Sequence, residues 1–220
     1  HQRLLDEGAR GVARLDTHAA QQVVPVLRED AAAAALYDDD ASDIDVHALH
    51  QHFLRGARAH GAELRCDFEV DAIDHAQGRW QVHDRQRRLR ASIVVNAAGA
   101  WADAIGALAG ARPLGLQPRR RSAFTFAPPP GLETRAWPCV VGIAEDFYFK
   151  PDAGVLLGSP ANADAVPPHD VVAEELDIAS GIARIEAATT LTIRRPLRTW
   201  AGLRSFVPDG ALVGGFDDAR

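Results

Sequence analysis

A chain of 220 residues, 47% of them hydrophobic, is long enough to bury a sizeable core as one large domain or two small ones. Its formal net charge of −6 argues against the concentrated positive field of a nucleic-acid surface, and no apolar run approaches a membrane span. Cys66 and Cys139 are too few for a disulfide framework and read as buried free thiols in a reducing, cytoplasmic setting. The chain has no methionine and begins at His1, which reads as a piece of a longer protein. Lys150 is its only lysine, so any single arginine is a weak functional signal.

In chain order, residues 1–26 read as a polar surface helix until Pro25, which stops a helix or opens an extended stretch, and 31–36 read as a plain helix former or a packing segment. Asp38, Asp39, Asp40, Asp43 and Asp45 form an acidic cluster. It lacks the sharp-turn glycine and closing glutamate of a calcium loop, so it reads as solvated, with Asp43 or Asp45 capping the next helix. That helix, 46–61, carries Val46, Leu49, Phe53, Leu54 and Ala57 at helical spacing and ends at Gly61. His47, His50, His52 and His60 lie on or near it; no cysteine or carboxylate set joins them, so they read as surface residues. A strand follows over 63–73, then a hairpin formed by 80–83 and 87–90.

The hairpin leads into Ile93-Val94-Val95, a β-branched run that reads as a strand buried on both faces of a parallel sheet. The run shrinks to Asn96-Ala97-Ala98-Gly99 and opens a helix from Trp101 to Leu108, closed by Gly110. Strand, small-residue turn and helix let a main chain approach a ligand closely. From Leu114 the texture becomes antiparallel. Residues 119–126 start basic and then alternate, Pro128-Pro129-Pro130 is a rigid loop, and 140–143, 147–150 and 155–158 read as short strands. A loop over 159–170 precedes a helix over 171–189 with Leu176, Ile178, Ile182 and Ile185 on its apolar face; 200–210 then leads into 212–215. The architecture implied is an α/β nucleotide-binding part with a strand-rich lobe capping a substrate pocket.

Four segments carry a family resemblance: Asn96-Ala97-Ala98-Gly99-Ala100-Trp101-Ala102-Asp103; Leu116-Gln117-Pro118-Arg119-Arg120-Arg121-Ser122-Ala123-Phe124; Asp146-Phe147-Tyr148-Phe149-Lys150-Pro151-Asp152, followed by Gly158; and Gly202-Leu203-Arg204-Ser205-Phe206-Val207-Pro208-Asp209-Gly210. In this order they resemble the FAD-dependent D-amino-acid oxidase superfamily. Residues 114–118, 158–164 and 188–196 are similar in wording to bacterial FAD-dependent D-arginine dehydrogenases. The superfamily's G-x-G-x-x-G turn does not occur here, so the resemblance implies an internal fragment without the N-terminal phosphate turn or the C-terminal end.

The resemblance implies a mixed α/β (α+β) chain: a partial FAD-binding Rossmann-like domain and an antiparallel substrate lobe. Residues 1–45 would connect to the lobe, 46–111 would belong to the flavin domain, 112–199 would form the lobe, and 200–220 would return to the flavin domain. It further implies oxidation of a D-amino acid, a basic one such as D-arginine, by hydride transfer from Cα to flavin N5. The imino acid then hydrolyses to a keto acid and ammonia. The electron acceptor stays open. A glycine- or sarcosine-type amine oxidase is the alternative within this class, and a truncated, non-catalytic flavoprotein fragment is the alternative outside it.

Arg121 and Arg204 match the positions of a substrate carboxylate clamp, a task that suits arginine's planar fork. Tyr148 would add a hydroxyl, or else be a core aromatic. Gly202 would turn a backbone carbonyl to the amine, or else be a plain sheet glycine. Ala97, Ala98 and Gly99 would admit the flavin nucleotide, with Trp101 beside them as a cofactor contact or a packing anchor. Val70 would meet the adenine through its backbone or simply pack in a strand. No residue is assigned to acid–base catalysis, and no metal site is expected.

Overall fold

The computed structural model describes residues 11–217 and is a mixed α/β fold with three antiparallel sheets. Strand β1 (Val12–Asp16) pairs with β2 (Ala34–Asp38) across helix α1 (Thr17–Val23). Asp16 starts that helix by accepting a 2.8 Å bond from the Ala19 N–H. Helix α2 (Val46–Ala59) starts the same way, on the Asp45 carboxylate. Strands β3 (Ala72–Ala76), β4 (Arg79–His83) and β5 (Arg88–Ala91) make a meander, and a 3-10 turn (Gly99–Trp101) leads into α3 (Ala102–Leu108).

The third sheet is the largest. It contains β6 (Gln117–Phe126), β7 (Val140–Val141), β8 (Tyr148–Asp152), β9 (Val155–Ser159), β10 (Asp164–Ala165) and β11 (Arg198–Phe206). β11 runs along one edge of β6; β9 takes residues 124–126 and β10 residues 119–120 of the other edge. Helix α4 (Glu175–Ala188) covers one face of this sheet.

Side-chain alternation then divides β6 between two tasks. Phe124 and Phe126 join Phe149, Leu156, Ile178 and Ile185 in the core under α4, closed by Val24, Val26, Leu191 and Ile193. Arg120 and Ser122 point to the same side, where they meet Glu174 and Asp177. Arg119, Arg121, Ala123 and Thr125 therefore take the opposite face. Two glycines set the helix-to-sheet distance. A Cβ at Gly158 would lie 2.8 Å from the side chains of Ile185 and Phe124, and one at Gly181 would lie 2.9 Å from the Pro160 backbone nitrogen.

Asp103 fastens α3 to the entry of β6. Its carboxylate accepts from the Leu114 N–H at 2.9 Å and the Leu116 N–H at 2.8 Å, and these bonds hold its pKa below the usual aspartate value.

Several local expectations are corrected. Residues 34–38 are strand rather than helix, because β1 offers a ladder partner that outweighs alanine's helix propensity. The expected helix over 1–26 is strand β1 followed by α1; residues 1–10 lie outside the described part. The strand expected over 63–73 pairs only from Ala72, leaving Val70 just ahead of the ladder. The run 93–95 is not buried: Ile93 is 64% and Val95 82% exposed, with no ladder partner among the described residues. The apolar stripe of α2 likewise leaves Val46, Leu49 and Phe53 exposed. Helix α4 begins at Glu175 rather than 171, with Leu176 exposed, and the expected loop over 159–170 contains β10. Cys66 and Cys139 are exposed free thiols rather than buried ones. Among the described residues no helix is long and apolar enough to cross a membrane.

Gly181→Ala is expected to destabilise the fold by about 1–3 kcal/mol, because overpacking against backbone exceeds alanine's helix-propensity gain. A denaturant midpoint that rises would show that α4 does not press on the Pro160 loop. Asp103→Ala is expected to cost ~1–2 kcal/mol at neutral pH. A depressed folded pKa contributes stability above the unfolded value, near 3.9, that is lost as pH falls through the folded value. The gap between wild type and variant therefore closes in acid; a gap constant from pH 7 to pH 2 would remove the carboxylate from the account.

Candidate functional site

The face of the large sheet opposite α4 collects most of the residues singled out from the sequence. On β6, Arg121 lies directly across from Gly202 of β11, and Arg119 lies across from Arg204. Paired residues share a face, and residues two apart along a strand share it too. Arg119, Arg121, Gly202 and Arg204 therefore form one patch. Phe149 points into the core, so its neighbour Tyr148 turns to the same side as Arg121.

Arg121 is half-buried and is a diagonal neighbour of Arg204 on the shared face of β6 and β11. Burial, and then the Arg204 charge, push its pKa below the ordinary arginine value; Tyr148 and Glu145 act in the opposite sense. The Arg121 Nε donates a 2.8 Å bond to the Asn162 carbonyl, so one edge of the fork is fixed by the protein. Arg204 is exposed, with its guanidinium 5.3 Å from the Phe206 ring centroid. Two facing cations favour an anion that can bridge them. Gly202 leaves that space clear, since no heavy atom lies within 4 Å of where a Cβ would stand.

The small-residue turn comes to the same strand, because the 3-10 turn packs against β11. Asn96 shapes the bend: its Oδ1 accepts from the Ala98 N–H at 3.3 Å, and its Nδ2 donates to the Ala102 carbonyl at 2.8 Å. Gly99 has φ +56°, which side chains rarely adopt, and a Cβ there would meet nothing within 4 Å. Ala97 and Gly99 are exposed and Ala98 is half-buried, so the bend presents backbone to open space. Trp101 is largely exposed, so it does not serve as a fully packed anchor. Val70, ahead of β3, is the outlying member of the set.

Ala97, Ala98 and Gly99 carry nothing larger than a methyl group, and the 3-10 turn they lead into contacts β11, so main chain there is open to the close approach of a ligand. A separate cavity of about 590 Å3 lies between β3 and α3, lined by Ile73, His75, Ala107 and Gly110; none of the arginine patch borders it. Among the described residues no group of three His, Cys, Asp or Glu side chains could hold a metal ion. Asn162, whose carbonyl holds Arg121, was not singled out from the sequence; its only signal is an asparagine within the Gly158–Asp164 segment already quoted.

Residues 1–219 match the FAD dependent oxidoreductase family. Mitochondrial dimethylglycine dehydrogenase of Rattus norvegicus is 27% identical over 168 residues, which are 71% of this chain and 20% of that protein. Glycine oxidase from Geobacillus kaustophilus superposes with a TM-score of 0.79 at 24% identity, over 96% of this chain and 55% of its own. Iminodiacetate oxidase from Chelativorans sp. BNC1 gives 0.75 at 25% identity, over 94% of this chain and 55% of its own. The chain thus spans about a fifth of the length of the curated relative and just over half of the two solved structures. With a match over residues 1–219, the chain belongs to the FAD dependent oxidoreductase family.

Proposed function

We propose that this chain supplies the substrate-gripping part of an FAD-dependent oxidoreductase acting on α-amino acids. D-amino acids with basic side chains, such as D-arginine, are its preferred substrates. The observation that supports this best is the placement of Arg121 and Arg204 as diagonal neighbours on one sheet face, the face Tyr148 also takes, on a sheet whose strand β11 contacts the 3-10 turn that begins at Gly99. An α-carboxylate suits such a pair, because each guanidinium offers parallel N–H donors at carboxylate spacing.

FAD, when bound, accepts the hydride that leaves the substrate Cα, and the imino acid hydrolyses in water to a keto acid and ammonia. The chain's own residues bind and orient. Arg121 and Arg204 grip the carboxylate, the Tyr148 hydroxyl donates a further bond to it, and the main chain at Gly202 faces the amine. Ala97, Ala98, Gly99 and Trp101 border the cofactor, with Val70 toward its far end. Fixing the carboxylate fixes the direction of the Cα–H bond, which turns affinity into orientation.

A second reading is favoured by two of the matches. Dimethylglycine and iminodiacetate both place a carboxylate one carbon from nitrogen and carry no side chain on Cα. The same clamp serves them, so a glycine- or sarcosine-type oxidase would use these residues unchanged. The two readings separate on anaerobic reduction of the flavin-loaded protein by D-arginine, L-arginine, sarcosine and dimethylglycine. Fast bleaching by D-arginine, and not by its L-enantiomer, is the expected result. Bleaching by the N-methylated glycines alone would transfer the assignment to the second reading, and none at all would point to a binding module without turnover.

In steady-state assays Arg121→Ala and Arg204→Ala are each expected to lower kcat/KM by about 1.5–3 kcal/mol equivalent, roughly ten- to over a hundredfold, chiefly through KM. Tyr148→Phe should cost less, about 0.5–1.5 kcal/mol. Unchanged kinetics in either arginine variant would remove that residue from the clamp.

A further inference from the structure

Arg121 does not hold its own orientation. Alone beside Arg204 it would swing away, since like charges repel and its four-bond stem is free to turn. What restrains it is the Asn162 carbonyl, and Asn162 is itself held from three sides. Its Oδ1 accepts the Ser122 N–H at 2.8 Å, and its Nδ2 donates to Asp177 Oδ2 at 3.0 Å and Asp164 Oδ2 at 2.7 Å. Asp177 also accepts from the Ser122 Oγ at 2.9 Å and lies 3.2 Å from the Arg120 Nη2. The same loop is tied to β6 at its start, where the buried Ser159 Oγ donates to the Ser122 carbonyl at 2.7 Å and accepts the Ala161 N–H at 3.0 Å.

The three consecutive residues Arg120, Arg121 and Ser122 therefore meet one loop and one helix. Arg120 and Ser122 hold Asp177 of α4 from the helix side of the sheet. Arg121, on the other side, takes the carbonyl of the residue that Asp177 and Ser122 have fixed. An amide side chain suits this place, because it must accept from a backbone N–H and donate to carboxylates at once; neither Asp nor Leu, which are close in shape, can do both.

We propose that Asn162 is a positioning residue for the carboxylate clamp. Pinned by Ser122 and Asp177, it presents its main-chain carbonyl to the Arg121 Nε and so aims the rest of the guanidinium fork at the substrate. The inference rests on the assignment of Arg121 to the substrate carboxylate.

The test is a double-mutant cycle on the flavin-loaded protein, with Asn162→Ala, Arg121→Ala and the pair, assayed with the amino acid that reduces the flavin fastest and with its carboxamide. Asn162→Ala is expected to raise KM for the amino acid roughly tenfold, with kcat within about twofold, and to leave the carboxamide unaffected. In the Arg121→Ala background it should add nothing. If Asn162→Ala loses flavin, Asn162→Ser, which keeps a short polar group toward Ser122, is read in the same way. A KM that rises in Arg121→Ala but not in Asn162→Ala overturns this inference alone, as does an additive effect in the double variant. An unchanged KM in Arg121→Ala overturns both the inference and the clamp.

Discussion

Two arginines that share one sheet face as diagonal neighbours, Arg121 on β6 and Arg204 on β11, repel each other, and the contacts around Arg121 resist that repulsion. The cost falls on Arg121, which is the more buried of the two and has its pKa pushed down by burial and by Arg204. Three features oppose it: the carbonyl of Asn162, the hydroxyl of Tyr148 and the carboxylate of Glu145. None of them is a full ion pair with Arg121. The arrangement leaves positive charge unneutralised on one face of the sheet, a standing attraction for an acid. Arg120 next door is the contrast. Its charge is absorbed by Glu174, Asp164 and Asp177, so it contributes to structure and not to the open face.

That division follows from the geometry of a strand. Arg119, Arg120 and Arg121 are chemically identical and adjacent, yet the two-residue repeat sends the middle one to α4 and its neighbours to the other side. A single-residue slip of β6 would exchange the roles, burying Arg121 against acids and opening Arg120 to the ligand. The register is guarded by the phenylalanines further along. Phe124 and Phe126 must point under α4, where Gly158 and Gly181 leave room for a close approach and for nothing more. Hydrophobic packing at one end of the strand thereby sets which arginine is available at the other, roughly 10 to 17 Å away along the strand.

Much of this was legible in the sequence because it is local. The Asp45 cap, the amphipathic α2, the hairpin of β4 and β5, the Gly110 helix stop and the alternation of 119–126 each depend on neighbours a few residues away. What failed depended on distant partners. Residues 34–38 became strand because 12–16 lay beside them, and 93–95 stayed exposed because no described strand flanks them. A β-branched run states a preference for burial, not the identity of what buries it. Asn162 was invisible for a related reason. Its partners Ser122 and Asp177 lie 40 and 15 residues away, and its bond to Arg121 uses the main chain, which sequence does not mark.

On the proposed assignment, a carboxylate clamp would also limit what the site can discriminate. Glycine, dimethylglycine and D-arginine all offer a carboxylate next to a carbon bearing nitrogen, so two arginines assigned to the carboxylate would grip only what these molecules share. Interactions equally strong in ground and transition states lower KM without raising kcat. Rate can come from the clamp only through geometry, if the carboxylate is held so that Cα presents its hydrogen to the flavin and the groups at nitrogen and Cα are turned elsewhere. Selectivity would then have to come from the other end of a bound substrate, beyond Gly202, where no heavy atom lies within 4 Å of where a Cβ would stand and the choice falls to whatever lines that space. On that reading, a rigid clamp with an open opposite wall would let one fold serve different substrates, since changing the wall would alter specificity while the charged grip and its proposed Asn162 support stayed in place.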